Sequence, residues 1–364
     1  LNVPKFDPKE LIPVRVNPNF RGGPGTPIFD TPVTMKENAK AMFSERKPVW
    51  TGLEFSLDFS LFCPAVHPDN VARASVFDGT MVFGVTNTTG GADMFGIEWE
   101  YVPSAGGSIV RPGKPFIEDA NEIAEKVVWP DIEKWDWEGS AKANEKYLES
   151  DRFVMCWMLN GWFERLISFM DFEGAVMAMI DEDQTDAIKA FFDKLSDLYI
   201  RIIDKYLKYY PQIDGFYIHD DWGSQRETFF SPDVVEELIV PYMRRVTDFI
   251  HSKGRYCELH SCGQIARQVP NIIRAGWDAW GPQVSFDVER LYKEYGDKLI
   301  FCFNPPAFDP KTATEEEQRA SARAFIEKFG EPGKPVMVNH NSGTLLTPAF
   351  VEELYKQSRI KYSR

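Results

Sequence analysis

The sequence predicts an α/β protein, a parallel (β/α)8 barrel of the TIM type with an N-terminal extension, and three observations carry that prediction. From residue 150 onward, short apolar runs alternate with longer helix-patterned stretches. No Gly-rich signature of an open dinucleotide-binding sheet accompanies them. The 364 residues are enough for one such barrel, with no low-complexity linker and no strong internal repeat to divide them.

Residues 1–48 form the extension. They are rich in Pro and Gly ("NPNFRGGPGTPIFDTP") and hold one helix, opened by Thr34 with Glu37 three residues on, a capping-box pattern. The barrel is assigned to residues 49–364. Between about 50 and 115 the runs "VWTGLEF", "TMVFGV" and "GIEWEYV" read as strands, separated by turns such as "TTGGAD" and "SAGGS". The strand "RFVMCWML" is followed by helices over 161–181 and 184–208, and "IDGFYIHDD" by a helix from 232 to about 252. Ser231 caps that last helix, Pro232 takes its first position, Gly254 lies past its end, and Pro241 inside it predicts a kink. Four further pairs follow: "YCELHSC" with 264–275, "AWGPQV" with 286–295, "LIFCFN" with 315–329, and "PVMVNH" with 348–360.

A formal charge of −14 disfavours nucleic acid and anionic membrane as partners, since either would repel this surface. A small molecule or another protein fits better. No basic-then-apolar leader pattern opens the chain and no run of about 18 apolar residues could span a bilayer, so a cytoplasmic protein is expected. The five cysteines are odd in number and scattered, which points to reduced thiols. Ten tryptophans suit either a core of large rings or a flat apolar ligand.

The chemistry concentrates at strand ends, where a parallel barrel builds its active site. In "CELHSCGQ" alternation puts Glu258, His260 and Cys262 on one face of a strand. A histidine and a thiol there are zinc ligands by type, and Cys302 in "LIFCFNPP" offers a third, leaving one position open as catalytic zinc sites do. Buried cysteines beside a chance histidine are the alternative. "ELHSCG" also mimics a cobalamin-binding pattern, but its place in a late strand argues against that use. "IHDDWG" supplies His219, Asp220, Asp221 and Trp222, carboxylates for proton transfer or merely for helix capping. "VNHNSG" supplies His340 and Asn341, with His340 a ligand, a hydrogen-bond donor or an ordinary loop residue. "MLNGWFERL" adds Asn160 and Trp162, a polar and an aromatic group suited to an oxygen-substituted ring. Cys63 and Cys156 read as packing.

The segments "DGFYIHDDWGSQ", "SPDVVEELIVPYMRRVTDFIHSKG" and "ELHSCGQI" resemble the uroporphyrinogen decarboxylase superfamily, particularly its corrinoid-dependent methyltransferase branch. The resemblance is strongest from about 210 to 345. "ADMFGIEWEYVPSAGGSIVRPGKPFIEDANE" and "VVWPDIEKWDW" resemble members that serve O-demethylation in anaerobes. What the resemblance implies is a barrel fold, a His-x-Cys zinc pair matching His260 and Cys262, and a second cysteine later in the chain. The sequence departs at that second cysteine, because Ser342 stands where thiol-methylating members carry one. Cys302 is expected to replace it, ahead of His340. The arginine-rich segment of the true decarboxylases is absent, so porphyrinogen decarboxylation is not expected.

The resulting expectation is a zinc-dependent transfer of methyl from a methoxylated aromatic compound to the cobalt of a corrinoid (cobalamin) carried by a separate protein, since no cobalamin module is read in this chain. Zinc would activate the ether, Glu258, Asp220, Asp221 or His219 would handle the proton, and Asn160, Trp162, Trp222, His340 and Asn341 would contact substrate. Transfer from methyl-corrinoid to a thiol or folate, and a non-catalytic small-molecule-binding barrel, are the alternatives.

Overall fold

The computed structural model describes residues 4–17, 25–54, 57–79, 90–104, 107–282, 287–339 and 344–363. Eight strands build one sheet: β1 (Gly52–Leu53), β2 (Phe59–Phe62), β3 (Phe153–Met158), β4 (Gly215–His219), β5 (Tyr256–His260), β6 (Ala279–Trp280), β7 (Ile300–Phe303) and β8 (Val336–Val338). Their spatial order is β1-β8-β7-β6-β5-β4-β3-β2, so the strands succeed one another in chain order, with β1 beside β8. The pairs β3–β4, β4–β5, β6–β7, β7–β8 and β8–β1 are parallel. The fold is the α/β (β/α)8 barrel expected. Among the described residues no helix is long and apolar enough to cross a membrane.

The chain clusters into two compact units, one of residues 1–60, 150–153 and 278–364, the other of 61–149 and 154–277. In the first, the N-terminal segment is tied down by charge: Glu10 pairs with Arg359 at 2.8 Å and accepts a hydrogen bond from the Tyr355 hydroxyl at 2.6 Å, both residues lying on the helix Pro348–Tyr362. The Thr34–Glu37 capping box forms as predicted and opens the helix Met35–Glu45. Buried Asn38 then holds the turn into β1, accepting from Val49 N at 2.6 Å and donating to the Trp50 carbonyl at 3.1 Å.

In the second unit, the helices Trp162–Ala178 and Thr185–Tyr209 follow β3, close to their predicted bounds. The helix after β4 is broken as Pro241 requires, into Pro232–Leu238 and Val240–Ser252, with Ile239 off helical geometry at φ −120°. Proline lacks the N–H to continue the ladder and its ring crowds the carbonyl four residues back. The helix expected over 264–275 is shorter, a 3-10 turn Ala266–Gln268 and then Val269–Arg274, because Pro270 suits only a first turn.

One strand assignment is corrected, and one barrel strand is not read from the sequence. "GIEWEYV" does not enter the barrel: Glu98–Val102 is the middle strand of an antiparallel sheet with Gly91–Ala92 and Gly107–Val110. Only Trp99 within it is buried, a half-solvated pattern that a barrel strand cannot show. The second barrel strand comes instead from "FSLF", too short a run to stand out in the sequence. "TMVFGV" lies outside the described residues.

Asp58, just before β2, is buried, accepting from Leu53 N at 2.8 Å and Trp50 Nε1 at 2.9 Å. Burial outweighs those donors and pushes its pKa up to about 6, from 3.8. A raised carboxyl pKa favours folding where the group is protonated, so this contribution is present below about pH 4 and is lost as pH rises to about 6, by roughly 3 kcal/mol. Urea unfolding of wild type and Asp58→Asn across that range should show the variant gaining on wild type as pH rises. A difference that stays constant with pH means the carboxyl is not protonated in the fold.

Candidate metal centre

Three adjacent parallel strands of the second unit bring the site together. Register places Trp157 beside Tyr217 and Tyr217 beside Glu258, then His219 beside His260 one layer higher. The ladder runs on past the strands, with Asp220 N donating to the His260 carbonyl at 2.9 Å and Gly161 N to the His219 carbonyl at 2.6 Å. The segments after β3, β4 and β5 therefore leave the sheet at one level, the carboxyl ends of the strands. Gly263, at φ +85°, makes the last turn possible: a Cβ there would stand 2.1 Å from the Gly223 carbonyl oxygen.

His260 and Cys262 point the same way, as alternation predicts, with Nε2 and Sγ 3.1 Å apart. On the other side of the ring, His260 Nδ1 stands 2.7 Å from the Tyr217 hydroxyl. A proton on Nδ1 shared with that hydroxyl leaves the Nε2 lone pair facing the thiol, the orientation metal-binding histidines are usually given. From the neighbouring strand, His219 packs its ring 4.9 Å from that of His260 and sets Nε2 3.1 Å from Asp221 Oδ1. Ligand atoms of His219, Asp221 and His260 all lie within 4.8 Å of one another. Two imidazoles and a carboxylate, with the Cys262 thiol beside one of the imidazoles, are donors of the types zinc takes.

The electrostatics of the cluster follow from its pairing. Burial works against charge on His219, but the Asp221 carboxylate overcomes it and holds the imidazole protonated well above its ordinary value. Asp221 is likewise opposed by burial and held far below the usual carboxylate range by His219, with a further hydrogen bond from Cys262 N at 2.6 Å. Burial pushes the Cys262 thiol up. His219 Nδ1 has two neighbours, the Leu159 carbonyl at 3.2 Å and Arg73 Nη2 at 3.1 Å. A protonated Nδ1 can only donate, so the Leu159 carbonyl is its partner, and Arg73 is held in place by Glu164 at 3.1 Å and Asn160 at 3.2 Å.

Several expected site residues are buried. Asp220 is fully buried, accepting from Glu164 N and Trp222 Nε1, both at 2.9 Å, and burial raises its pKa to about 7. It caps the helix Trp162–Ala178 from the neighbouring strand, because the helix's own N-cap, Gly161, has no side chain to do so. Trp222, expected to contact substrate, has no exposed surface. Trp162 is equally buried, donating to Ser196 Oγ at 2.9 Å and standing edge-on to Tyr199, so it packs between helices. Asn160 is buried in a polar chain, donating to Asp69 at 3.0 Å while accepting from Arg73. Glu258 is 1% exposed, below His260 on its strand. Cys302 is fully buried on β7, in the other unit. His340, Asn341 and Ser342 lie outside the described residues.

Sequence reasoning missed Tyr217 and Arg73. Period-two alternation in "GFYIH" puts Tyr217 on the His219 face and could have found it. Nothing around Arg73 in "VARASV" marks it, and only the fold brings it to His219.

A barrel with histidine, cysteine and aspartate side chains gathered at the carboxyl ends of its strands defines a class of protein, and likeness to known proteins narrows it. The family model for uroporphyrinogen decarboxylase (URO-D) matches residues 77–345, and the chain belongs to that family. Among solved structures, a methyltransferase from Methanosarcina mazei superposes with a TM-score of 0.56 at 14% identity, covering 91% of this chain and 100% of its own. More distant are the spore cortex-lytic enzyme SleL of Bacillus megaterium QM B1551 (TM-score 0.35, 8% identity, 67% and 66% covered) and a 2,3-dimethylmalate lyase (0.34, 10%, 85% and 82%). The likeness to the methyltransferase is one of fold. No curated protein sequence matches the chain.

The packing of Gly161 against Asp220 can be tested. A Cβ at position 161 would come 2.4 Å from the Asp220 Cβ, so Gly161→Ala must displace the capping carboxyl and should cost about 1–3 kcal/mol in denaturant unfolding. Wild-type stability in that variant would mean the cap is dispensable.

Proposed function

We propose that this protein is a zinc-dependent methyltransferase that moves a methyl group from a methoxylated aromatic compound to the cobalt of a corrinoid held by a separate protein. The observation that carries the reading is the His260–Cys262 pair, 3.1 Å apart at the carboxyl end of β5 in a chain of the URO-D family. Three further points support it. The fold resembles that of a methyltransferase from Methanosarcina mazei. The segments "ADMFGIEWEYVPSAGG" and "VVWPDIEKWDW" resemble O-demethylating members of the family. Half-buried Trp157, stacked on Tyr217 at 4.7 Å and 19°, offers a flat ring beside the histidine that Tyr217 orients.

Aryl methyl ethers resist cleavage because phenolate leaves poorly. Zinc, when bound, supplies a Lewis acid for the ether oxygen. The methyl–oxygen bond breaks, the reduced cobalt of the partner provides the electron pair for the new bond, and the oxygen keeps the old pair and takes up a proton. His260 and Cys262 hold the metal, and Tyr217 fixes the imidazole. Glu258, on the same strand face two residues before His260, is the carboxyl to which we assign the proton, because Asp220 is committed to helix capping.

Purified protein given a reduced corrinoid protein and a panel of methoxyaromatics should convert the corrinoid to its methylated form, visible spectroscopically, and release the phenol. Glu258→Gln should slow this by roughly 100-fold with zinc content unchanged. If no methoxyaromatic in the panel is turned over while methyl-corrinoid readily methylates a thiol, the assignment of substrate and direction is wrong.

A further inference from the structure

We infer that His219 and Asp221, at the end of β4, complete the zinc ligand set begun by His260 and Cys262, in place of a second thiolate from Cys302. This rests on the zinc-dependent reading above and deepens it, since a His-x-Cys pair supplemented from the adjacent strand is a different metal site from one closed by a later cysteine.

The geometry is the argument. Zinc bonds of about 2.0–2.2 Å to nitrogen and oxygen and about 2.3 Å to sulfur, at tetrahedral angles, place ligand atoms about 3.3–3.6 Å apart. His260 Nε2 and Cys262 Sγ stand 3.1 Å apart, and so do His219 Nε2 and Asp221 Oδ1. With His260, these two side chains form a group whose ligand atoms all lie within 4.8 Å.

Each ligand is already held in the orientation that coordination needs. Tyr217 takes the far nitrogen of His260, and the Leu159 carbonyl takes that of His219, which leaves both Nε2 atoms for the ion once it displaces the proton that His219 shares with Asp221. Asp221 Oδ1 is steered by Cys262 N at 2.6 Å, and the loop that carries Asp221 is fastened to the Cys262 loop through Trp222 N and Ser261 Oγ at 3.0 Å. The donors come from two paired strands locked in register and from one compact unit, so the set assembles without a group from the other. A substrate oxygen can enter such a site by expansion to five ligands.

The inference and the reading beneath it separate in one experiment on the full chain loaded with zinc. X-ray absorption at the zinc edge counts sulfur ligands in the wild-type protein without any mutation. One sulfur with nitrogen and oxygen neighbours is expected, and two sulfurs would overturn the inference while leaving a zinc enzyme. Chelator competition gives the second measurement: His219→Ala and Asp221→Ala should each weaken zinc binding by about 100-fold or more, and Cys302→Ser should leave it within about threefold. Zinc held at wild-type affinity in both β4 variants, with circular dichroism unchanged, refutes the ligand assignment. Wild-type protein that takes up neither zinc nor cobalt(II) refutes the zinc-dependent reading itself, and the inference with it.

Discussion

The register of two parallel strands is the constraint on which the site depends. Pairing His219 with His260 across β4 and β5 puts two imidazoles side by side at the carboxyl ends of the strands, and the same pairing sets Tyr217 one layer below to orient the second. A slip of one residue in either strand would turn its histidine to the other face of the sheet. The apolar run at the end of β3 and the buried residues of β4 and β5 resist such a slip, because each has its own place in a close-packed interior.

Around that register the second unit buries an unusual amount of charge. Arg165 has no exposed surface and lies between Asp69 and Asp93, bonding Asp93 at 2.5 Å and contacting Asp69 directly. Burial works against its charge, but the two carboxylates more than offset it, and Arg165 in turn keeps Asp69 ionised against burial. The carboxylates have structural work of their own. Asp69 accepts from Met94 N and Asn160, and Asp93 from Phe95 N, Ile97 N and the Trp99 indole. Through these bonds the antiparallel sheet of residues 91–110 is anchored to the helix after β3, and Asn160 passes the connection to Arg73 beside His219. Removing one partner would leave an uncompensated buried charge, which is why such a network has to form as a whole.

The same economy commits several polar residues near His219 and His260 to framework hydrogen bonds. Asp220 has both carboxylate oxygens engaged by framework donors, and Trp222 and Trp162 spend their indole N–H groups on Asp220 and Ser196. Their residue types read as catalytic or substrate-binding in the sequence because carboxylates and tryptophans serve both purposes. Burial and partner decide between them, and neither is visible in one chain of letters.

What the sequence by itself determined is what local rules control. Alternation of short apolar runs with helical patterns specified a parallel barrel, a capping box opened the helix at Thr34, a proline broke the helix near 241, and period two put His260 and Cys262 on one face. Each of these depends on residues a few positions apart. The tertiary structure alone decided which strands entered the barrel between residues 50 and 115, where half-buried and fully buried strands look alike over four or five residues. It also brought Arg73 and Glu164 to His219, and β4 to the His-x-Cys pair on β5. Those meetings join residues tens to more than a hundred positions apart, and they are set by strand order and register, which the spacing of residues along the chain does not encode.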